Sequence, residues 1–129
     1  DSVVIRLRYG HAELLLTGDA GVEFESAWTA PADLGPLRVL KAGHHGSRSS
    51  SGAAFVTRYA PDIALVSAGQ SNLFGHPHPD VLAQFEEAGA AVFRTDVDGA
   101  IIVETDGLSV DVRGMSGRRF RLQISGAPS

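Results

Sequence analysis

Four of the five histidines fall in two short stretches, and an aspartate precedes them in a similar setting. His44 and His45 come soon after an apolar run, and His76 and His78 alternate with prolines. Asp19 also follows an apolar run, separated from it by Thr-Gly. The chain has no cysteine, so any bound metal must use imidazole and carboxylate ligands. These residue types in these positions predict a metal site.

The segments that must position these residues are predicted to be buried strands. The run 14–16 leads to Asp19, and the run 37–40 leads to the His44-His45 pair. In layered α/β folds, groups at the carboxyl ends of strands line the crevice where ligands bind. We therefore expect the two runs to deliver a carboxylate and imidazoles to one rim of a sheet.

The chemistry of such a rim is metal-assisted hydrolysis. Catalytic zinc takes three or more N or O ligands and lowers the pKa of its bound water to about 7. In paired-metal sites, a carboxylate commonly bridges two ions roughly 3.5–4 Å apart. Asp19 suits the bridging role, and either His44 or His45 suits a terminal ligand.

Each motif also has a structural interpretation. Asp19 could cap a following helix, the His44-His45 pair could be a hydrogen-bonded loop, and the stretch 76–79 could be a stiff loop before a helix. Occurring together after three predicted strands, the motifs favour the functional interpretation. Ser47 and Ser49 lack an obvious base and orienting group, which argues against serine nucleophilic catalysis.

Arginines are concentrated near the end of the chain. This basic segment could contact phosphates, but a solvated terminal segment is the favoured interpretation. Its members are Arg113, Arg118, Arg119 and Arg121.

Composition limits the class of protein. With 129 residues, 43% hydrophobic and 20% charged, the chain predicts at most one soluble globular domain. No apolar run approaches the roughly 20 residues of a membrane span. The net charge of −4 argues mildly against tight non-specific DNA binding, although metals could neutralise phosphate locally. Because the chain opens on Asp1 and runs directly into apolar residues, we expect it to be cut from a longer protein.

Apolar periodicity and turn residues predict a mixed α/β fold with hairpins at both ends. The first hairpin turns at Gly10-His11, with His11 as a solvated loop residue, and Gly89 is expected to end a helix. A further tight turn is expected at Asp98-Gly99. Strands are expected at 3–9, 12–16, 37–40, 63–67, 91–94, 100–104, 108–112 and 120–124, and helices at 22–29, 53–59 and 80–88.

Four segments in series resemble a known family. In order and spacing they are similar to the metallo-β-lactamase-like domain at the C-terminal end of the ComEC family of competence proteins, over about residues 2–105. The segments are 15–19, 39–47, 72–79 and 94–99.

The resemblance implies an αββα sandwich that is truncated on its N-terminal side. Residues 1–113 would be the C-terminal part of the domain, and 114–129 would be a tail that could add an edge strand. The family's first metal motif, His-x-His-x-Asp-His, does not occur in the chain. It would lie upstream, so the fragment alone is expected to be inactive.

The resemblance also implies a set of site residues. Two divalent ions, zinc or manganese, would lie at the sheet edge, with further ligands upstream of residue 1. Asp19 would be the bridging, catalytic aspartate, and His44 or His45 would be the late histidine ligand. His76 and His78 would face the metals as phosphate-binding or proton-donating groups.

In that arrangement His76 has a catalytic role as well as a substrate-binding one. Ser47, which follows the histidine pair, is the remaining substrate-binding candidate.

The implied activity is DNA phosphodiester hydrolysis by a metal-dependent nuclease. Its single-stranded DNA substrate would be the strand that is not imported during competence. Two alternatives stay open: hydrolysis of another phosphodiester or an ester, and a degenerate domain that guides DNA or regulates the uptake channel. The resemblance places the parent protein in the cytoplasmic membrane, with this domain on the extracytoplasmic side beside the channel portion, and the fragment itself soluble.

Overall fold

The computed structural model describes residues 4–17, 28–29, 31–41, 53–67 and 79–124. Within these residues eight strands form two sheets, accompanied by three short helices. The strands are β1 Ile5–Tyr9, β2 Ala12–Leu16, β3 Leu37–Lys41, β4 Ile63–Val66, β5 Ala91–Arg94, β6 Ile101–Thr105, β7 Ser109–Gly114 and β8 Arg119–Gln123. The helices are α1 Ala53–Tyr59, α2 Pro79–Glu87 and α3 Thr95–Asp98. The α/β fold class expected from the sequence is confirmed.

The larger sheet has the order β1-β2-β3-β4-β5. Strand β1 is antiparallel to β2, and the pairs from β2 to β5 are all parallel. Parallel strands bring their carboxyl ends to the same side of a sheet. We call this side the carboxyl edge and define it by the four residues Leu16, Lys41, Val66 and Arg94, at which β2 to β5 end.

The first hairpin turns at Gly10 and His11, as expected from the sequence. Gly10 is the first residue of this two-residue hairpin loop, and its φ of 59° is a conformation that favours glycine. The exposed His11 donates its backbone N–H to the carbonyl oxygen of Gly107 at 2.7 Å. A Cβ on Gly10 would lie 2.7 Å from the Cα of Gly107, so this close approach requires glycine.

One face of the larger sheet packs against α1 and α2. Trp28 packs edge-on against Phe55 and Tyr59, with ring centroids 5.4 and 5.8 Å apart, respectively. The buried core on this face comprises Leu15, Leu40, Phe55, Val56, Tyr59, Ala64, Val66, Val81, Phe85 and Ala90.

The opposite face packs against the smaller sheet, whose order is β6-β7-β8. Alternate residues of the larger sheet meet alternate residues of β7, as period-two strands require. The buried core between the sheets comprises Ala12, Leu37, Val39, Ile63, Phe93, Val110 and Val112.

The boundaries of α1 and α2 agree with the predicted boundaries within one residue. Gly89, which the sequence predicts to end a helix, follows α2 and has a φ of 85°. Where the sequence predicts a loop and a turn at Asp98-Gly99, the chain forms the short helix α3, ended by Gly99 at φ 75°. Trp28 and Thr29 lie outside any helix, and the rest of the expected helix 22–29 falls outside the described residues.

The four arginines near the end of the chain are exposed, as a solvated segment predicts, although part of this segment forms a strand. Strand β8 pairs antiparallel with β7 and forms an edge of the smaller sheet, in the region where the sequence suggests an edge strand. Arg113, Glu104, Arg119 and Asp111 share the outer face of this sheet, whereas Arg118 lies beside α3 and β5. The ion pairs are Arg113–Glu104, Arg118–Asp98 and Arg119–Asp111.

Candidate functional site

The residues singled out in the sequence all fall outside the described residues. They are Asp19, His44, His45, Ser47, His76 and His78. The described chain does include the strand ends that precede or follow them. Asp19 comes two positions after Thr17, His44 three positions after Lys41, and His78 directly before α2. The structure therefore shows how the residues close to the candidates in the sequence, Thr17, Lys41 and Pro79, are positioned.

The ends of β2 and β3 are joined at the carboxyl edge. Leu16 is paired with Lys41 in the parallel register. Thr17, which is 1% exposed, donates its hydroxyl to the Lys41 carbonyl oxygen at 3.4 Å, a long hydrogen bond. Strands β2 and β3 therefore end side by side. In the sequence, Asp19 follows the first of these ends and His44 follows the second.

The end of β5 is held by short-range acidic residues. Arg94 donates from Nε and Nη2 to the two carboxylate oxygens of Asp96, at 3.0 and 2.7 Å. This hydrogen bonding raises the pKa of Arg94, which stays cationic. The backbone N–H of Arg94 donates to Oδ2 of the buried Asp98 at 2.8 Å.

Arg118 contacts the edge of β5 that is not paired with β4. Its Nη1 donates to the carbonyl oxygen of Val92, and it lies 3.3 Å from Asp98 Oδ2. Its guanidinium carbon lies 4.3 Å from the centroid of the Phe93 ring. No periodic or motif signal in the sequence points to this role, because it depends on how the two sheets pack.

The opposite end of the sheet holds a buried carboxylate. Glu13 has a side-chain exposure of 0% and accepts hydrogen bonds from three directions. Arg6 donates from Nε and Nη2 to Oε1 at 2.9 and 2.7 Å, and the Gly35 backbone N–H reaches the same oxygen at 3.1 Å. Tyr59 donates its hydroxyl to Oε2 at 2.9 Å. We call these residues the Glu13 network.

Electrostatics keep the Glu13 carboxylate ionised. Burial by itself would raise the pKa of Glu13, but hydrogen bonds from Arg6, Gly35 and Tyr59 lower it below the ordinary value. Burial raises the pKa of Tyr59 strongly, helped by the adjacent charge of Glu13, so the hydroxyl remains a donor. The sequence reasoning placed Glu13 in a strand and missed this role.

Across residues 4–17, 28–29, 31–41, 53–67 and 79–124, no group of three or more histidine, cysteine, aspartate or glutamate side chains could hold a metal ion. None of the helices in these ranges is long and apolar enough to cross a membrane.

Three curated bacterial proteins are similar to most of the chain. The chain is 37% identical over 100 residues to ComE operon protein 3 of Bacillus subtilis, covering 78% of the chain. It is 35% identical over 102 residues to Recombination protein 2 of Haemophilus influenzae, covering 79% of the chain. It is 36% identical over 102 residues to Competence protein ComA of Neisseria gonorrhoeae, covering 78% of the chain.

By name, these relatives are bacterial competence and recombination proteins. The chain belongs to the ComEC family of competence proteins, as its motifs suggested. It spans 13% to 15% of the length of these relatives. No protein-family profile matches the chain, and no solved structure matches it.

Proposed function

We propose that the chain supplies the later metal ligands of a nuclease that degrades single-stranded DNA during competence DNA uptake. The observation that carries this proposal is the parallel pairing of β2, β3 and β4, which gathers their ends at the carboxyl edge. The candidate ligands follow two of these ends within four residues in the sequence. Family membership adds the competence setting.

Asp19, His44 and His45 form a donor set of the right chemistry for zinc or manganese. Carboxylate oxygen and neutral imidazole suit both ions, and the chain offers no thiolate that would favour another metal. Two bound ions would supply a water nucleophile near neutral pH and charge stabilisation at phosphorus. The remaining ligands would come from the family's first metal motif.

The other candidates would handle the substrate. His76 and His78 precede Pro79, where α2 begins. We assign them to binding a phosphodiester oxygen and, for His76, to donating a proton to the leaving oxygen. Ser47 would donate a hydrogen bond to phosphate. Arg94 is paired with Asp96, which leaves it as a support for the β5 end rather than as a free phosphate ligand.

The wider setting is also part of the proposal. The complete domain would be an αββα metallo-β-lactamase-like sandwich. It would lie on the extracytoplasmic side of the cytoplasmic membrane, beside the channel portion of the same protein. Its substrate there would be the DNA strand that is not imported.

The test is cleavage of end-labelled single-stranded DNA by the complete protein encoded by the gene, with added Zn²⁺ or Mn²⁺. We expect about two bound ions per chain, cleavage abolished by chelator, and cleavage lost in Asp19→Ala. Arg119→Ala is the control, because Arg119 lies on the outer face of the smaller sheet. Complete protein that binds no metal and leaves DNA intact would contradict the proposal and favour the DNA-guiding alternative.

A further inference from the structure

Strand β1 exposes a row of apolar side chains. Ile5, Leu7 and Tyr9 are 42%, 51% and 62% exposed, although they alternate with arginines as in a half-buried strand. Leu7 is paired with Leu14, which packs on the core between the two sheets. Since paired residues of antiparallel strands share a face, the row points toward the smaller sheet but extends beyond its cover.

An apolar groove runs beside this row. It has a volume of about 270 Å³ and lies between β1 and β2 on one side and β6 and β7 on the other. Its apolar lining includes Leu7, Leu14, Val39, Val103 and Val110. Strand β6 is itself an edge of the smaller sheet, so both layers present an edge here.

The backbone of β1 is also available for pairing. Residues that flank a two-residue hairpin loop form a hydrogen-bonded pair, so Tyr9, Leu7 and Ile5 bond to β2. The backbone groups of Arg6 and Arg8 consequently face away from β2. Among the described residues, no backbone hydrogen bond reaches them from the outer side.

The other edge of the same sheet is treated differently. On β5, Arg118 occupies the Val92 carbonyl and Asp98 accepts the Arg94 N–H. Such capping prevents a further strand from pairing. The described part of β1 has no equivalent cap, and an apolar row beside outward-facing backbone groups is a pattern that invites strand addition.

We propose that β1 is a docking edge for an extended segment from elsewhere in the ComEC-family polypeptide. The matched stretch is 13% to 15% of the length of these relatives, so family members carry ample further polypeptide. The segment would pair with the Arg6 and Arg8 backbone, place apolar side chains in the groove, and direct acidic or polar side chains toward Arg8.

Charge argues against a second copy of this chain as the occupant. Antiparallel pairing of two β1 strands around Leu7 would place Arg6 of one copy opposite Arg8 of the other. Like charges directly opposite each other destabilise a strand pair. Within each copy, Arg6 is already paired with Glu13 and Asp33, and Arg8 with Asp33, so these carboxylates are engaged before a second copy approaches.

Amide hydrogen exchange tests the proposal without reference to the metal site. In the isolated 129-residue chain, we expect the Arg6 and Arg8 amides to exchange rapidly while the Leu7 amide is protected. In the complete protein encoded by the gene, both arginine amides should exchange about a hundredfold more slowly. Equal exchange in the two proteins would overturn the proposal.

A pair of matched variants tests whether the added protection depends on the groove beside β1. Leu7→Lys charges the groove face, whereas Met115→Lys charges a side chain that is 67% exposed elsewhere. In the complete protein, Leu7→Lys should abolish the added protection of Arg6 and Arg8, and Met115→Lys should preserve it. Sedimentation of the isolated chain completes the test, because a dimer with protected arginine amides would identify a second copy and refute the proposal.

Discussion

The two ends of the parallel strands are built for different purposes. At the amino end, the carboxylate of Glu13 is fully enclosed and saturated with hydrogen bonds from Arg6, Gly35 and Tyr59. At the carboxyl edge, the described ends of β2 and β3 are joined by a long 3.4 Å hydrogen bond from Thr17 to Lys41, and the end of β5 is held by the ion pair of Arg94 with Asp96. The chain that follows this edge carries the histidines and the aspartate of the candidate site.

This difference between the two ends suggests that the amino end stabilises the fold and that the chain beyond the carboxyl edge carries the chemistry. A charged group that is buried and saturated holds elements together and has no spare capacity to bind a ligand. The Glu13 network links β1, β2, the 31–36 loop and α1 through one side chain. We therefore expect changes at the amino end to alter the free energy of unfolding, and changes beyond the carboxyl edge to alter activity.

The largest effect on stability is expected from Glu13→Ala. This change leaves the Arg6 guanidinium and the Tyr59 hydroxyl without their buried acceptor, which should cost about 3–5 kcal/mol of unfolding free energy. Urea denaturation of the 129-residue chain measures it. Met115→Ala, at an exposed position, is the control and should leave the midpoint nearly unchanged. A Glu13→Ala midpoint equal to wild type would mean that the network does not stabilise the fold.

The pH dependence of stability follows from the lowered pKa of Glu13. A carboxylate with a depressed folded-state pKa contributes its full stability above the unfolded pKa, and loses it as the pH falls through the folded pKa. Wild type should therefore lose more unfolding free energy than Glu13→Gln between about pH 6 and about pH 3. The two proteins share all other acidic groups, so the difference isolates Glu13. A gap that stays constant over this range would contradict the assignment.

A smaller effect is expected from Tyr59→Phe. The ring and its stacking with Phe55 remain, but the hydrogen bond from the hydroxyl to Glu13 is lost. A hydrogen bond to a charged group contributes about 1.5–3 kcal/mol. Unfolding of Glu13→Ala, Tyr59→Phe and the double variant gives the coupling between the two residues. Full additivity would show that the bond contributes nothing.

The smallest effect is expected at the carboxyl edge, from Thr17→Val. The substitution keeps the side-chain shape and removes one long hydrogen bond to the Lys41 carbonyl. We expect a loss of less than about 1.5 kcal/mol. A loss as large as that of Glu13→Ala would break the contrast between the two ends.

Local sequence patterns were sufficient for most of the elements. The Gly10-His11 turn, the apolar runs of β3 and β4, and the Pro79 start of α2 are recognisable because each depends on neighbouring residues. The α/β class follows from their alternation. The four motif segments also indicate the ComEC family.

Long-range contacts were not predictable from the sequence. Glu13 looks like a polar residue in an alternating strand, and its partners Gly35 and Tyr59 lie 22 and 46 positions away. Arg118 looks like part of a solvated tail, yet it contacts Val92 across 26 positions. Both roles arise only when sheets and helices pack. The candidate metal ligands lie outside the described residues, so their assignment remains a prediction.

The central claim is that chemistry belongs to the chain beyond the carboxyl edge, and its most direct test compares two carboxylate-to-amide changes. Single-stranded DNA cleavage would be measured for Glu13→Gln and Asp19→Asn in the complete protein, under conditions where both remain folded. We expect Glu13→Gln to cleave at close to the wild-type rate and Asp19→Asn to lose cleavage by at least about a hundredfold. Wild-type cleavage by Asp19→Asn would contradict the account.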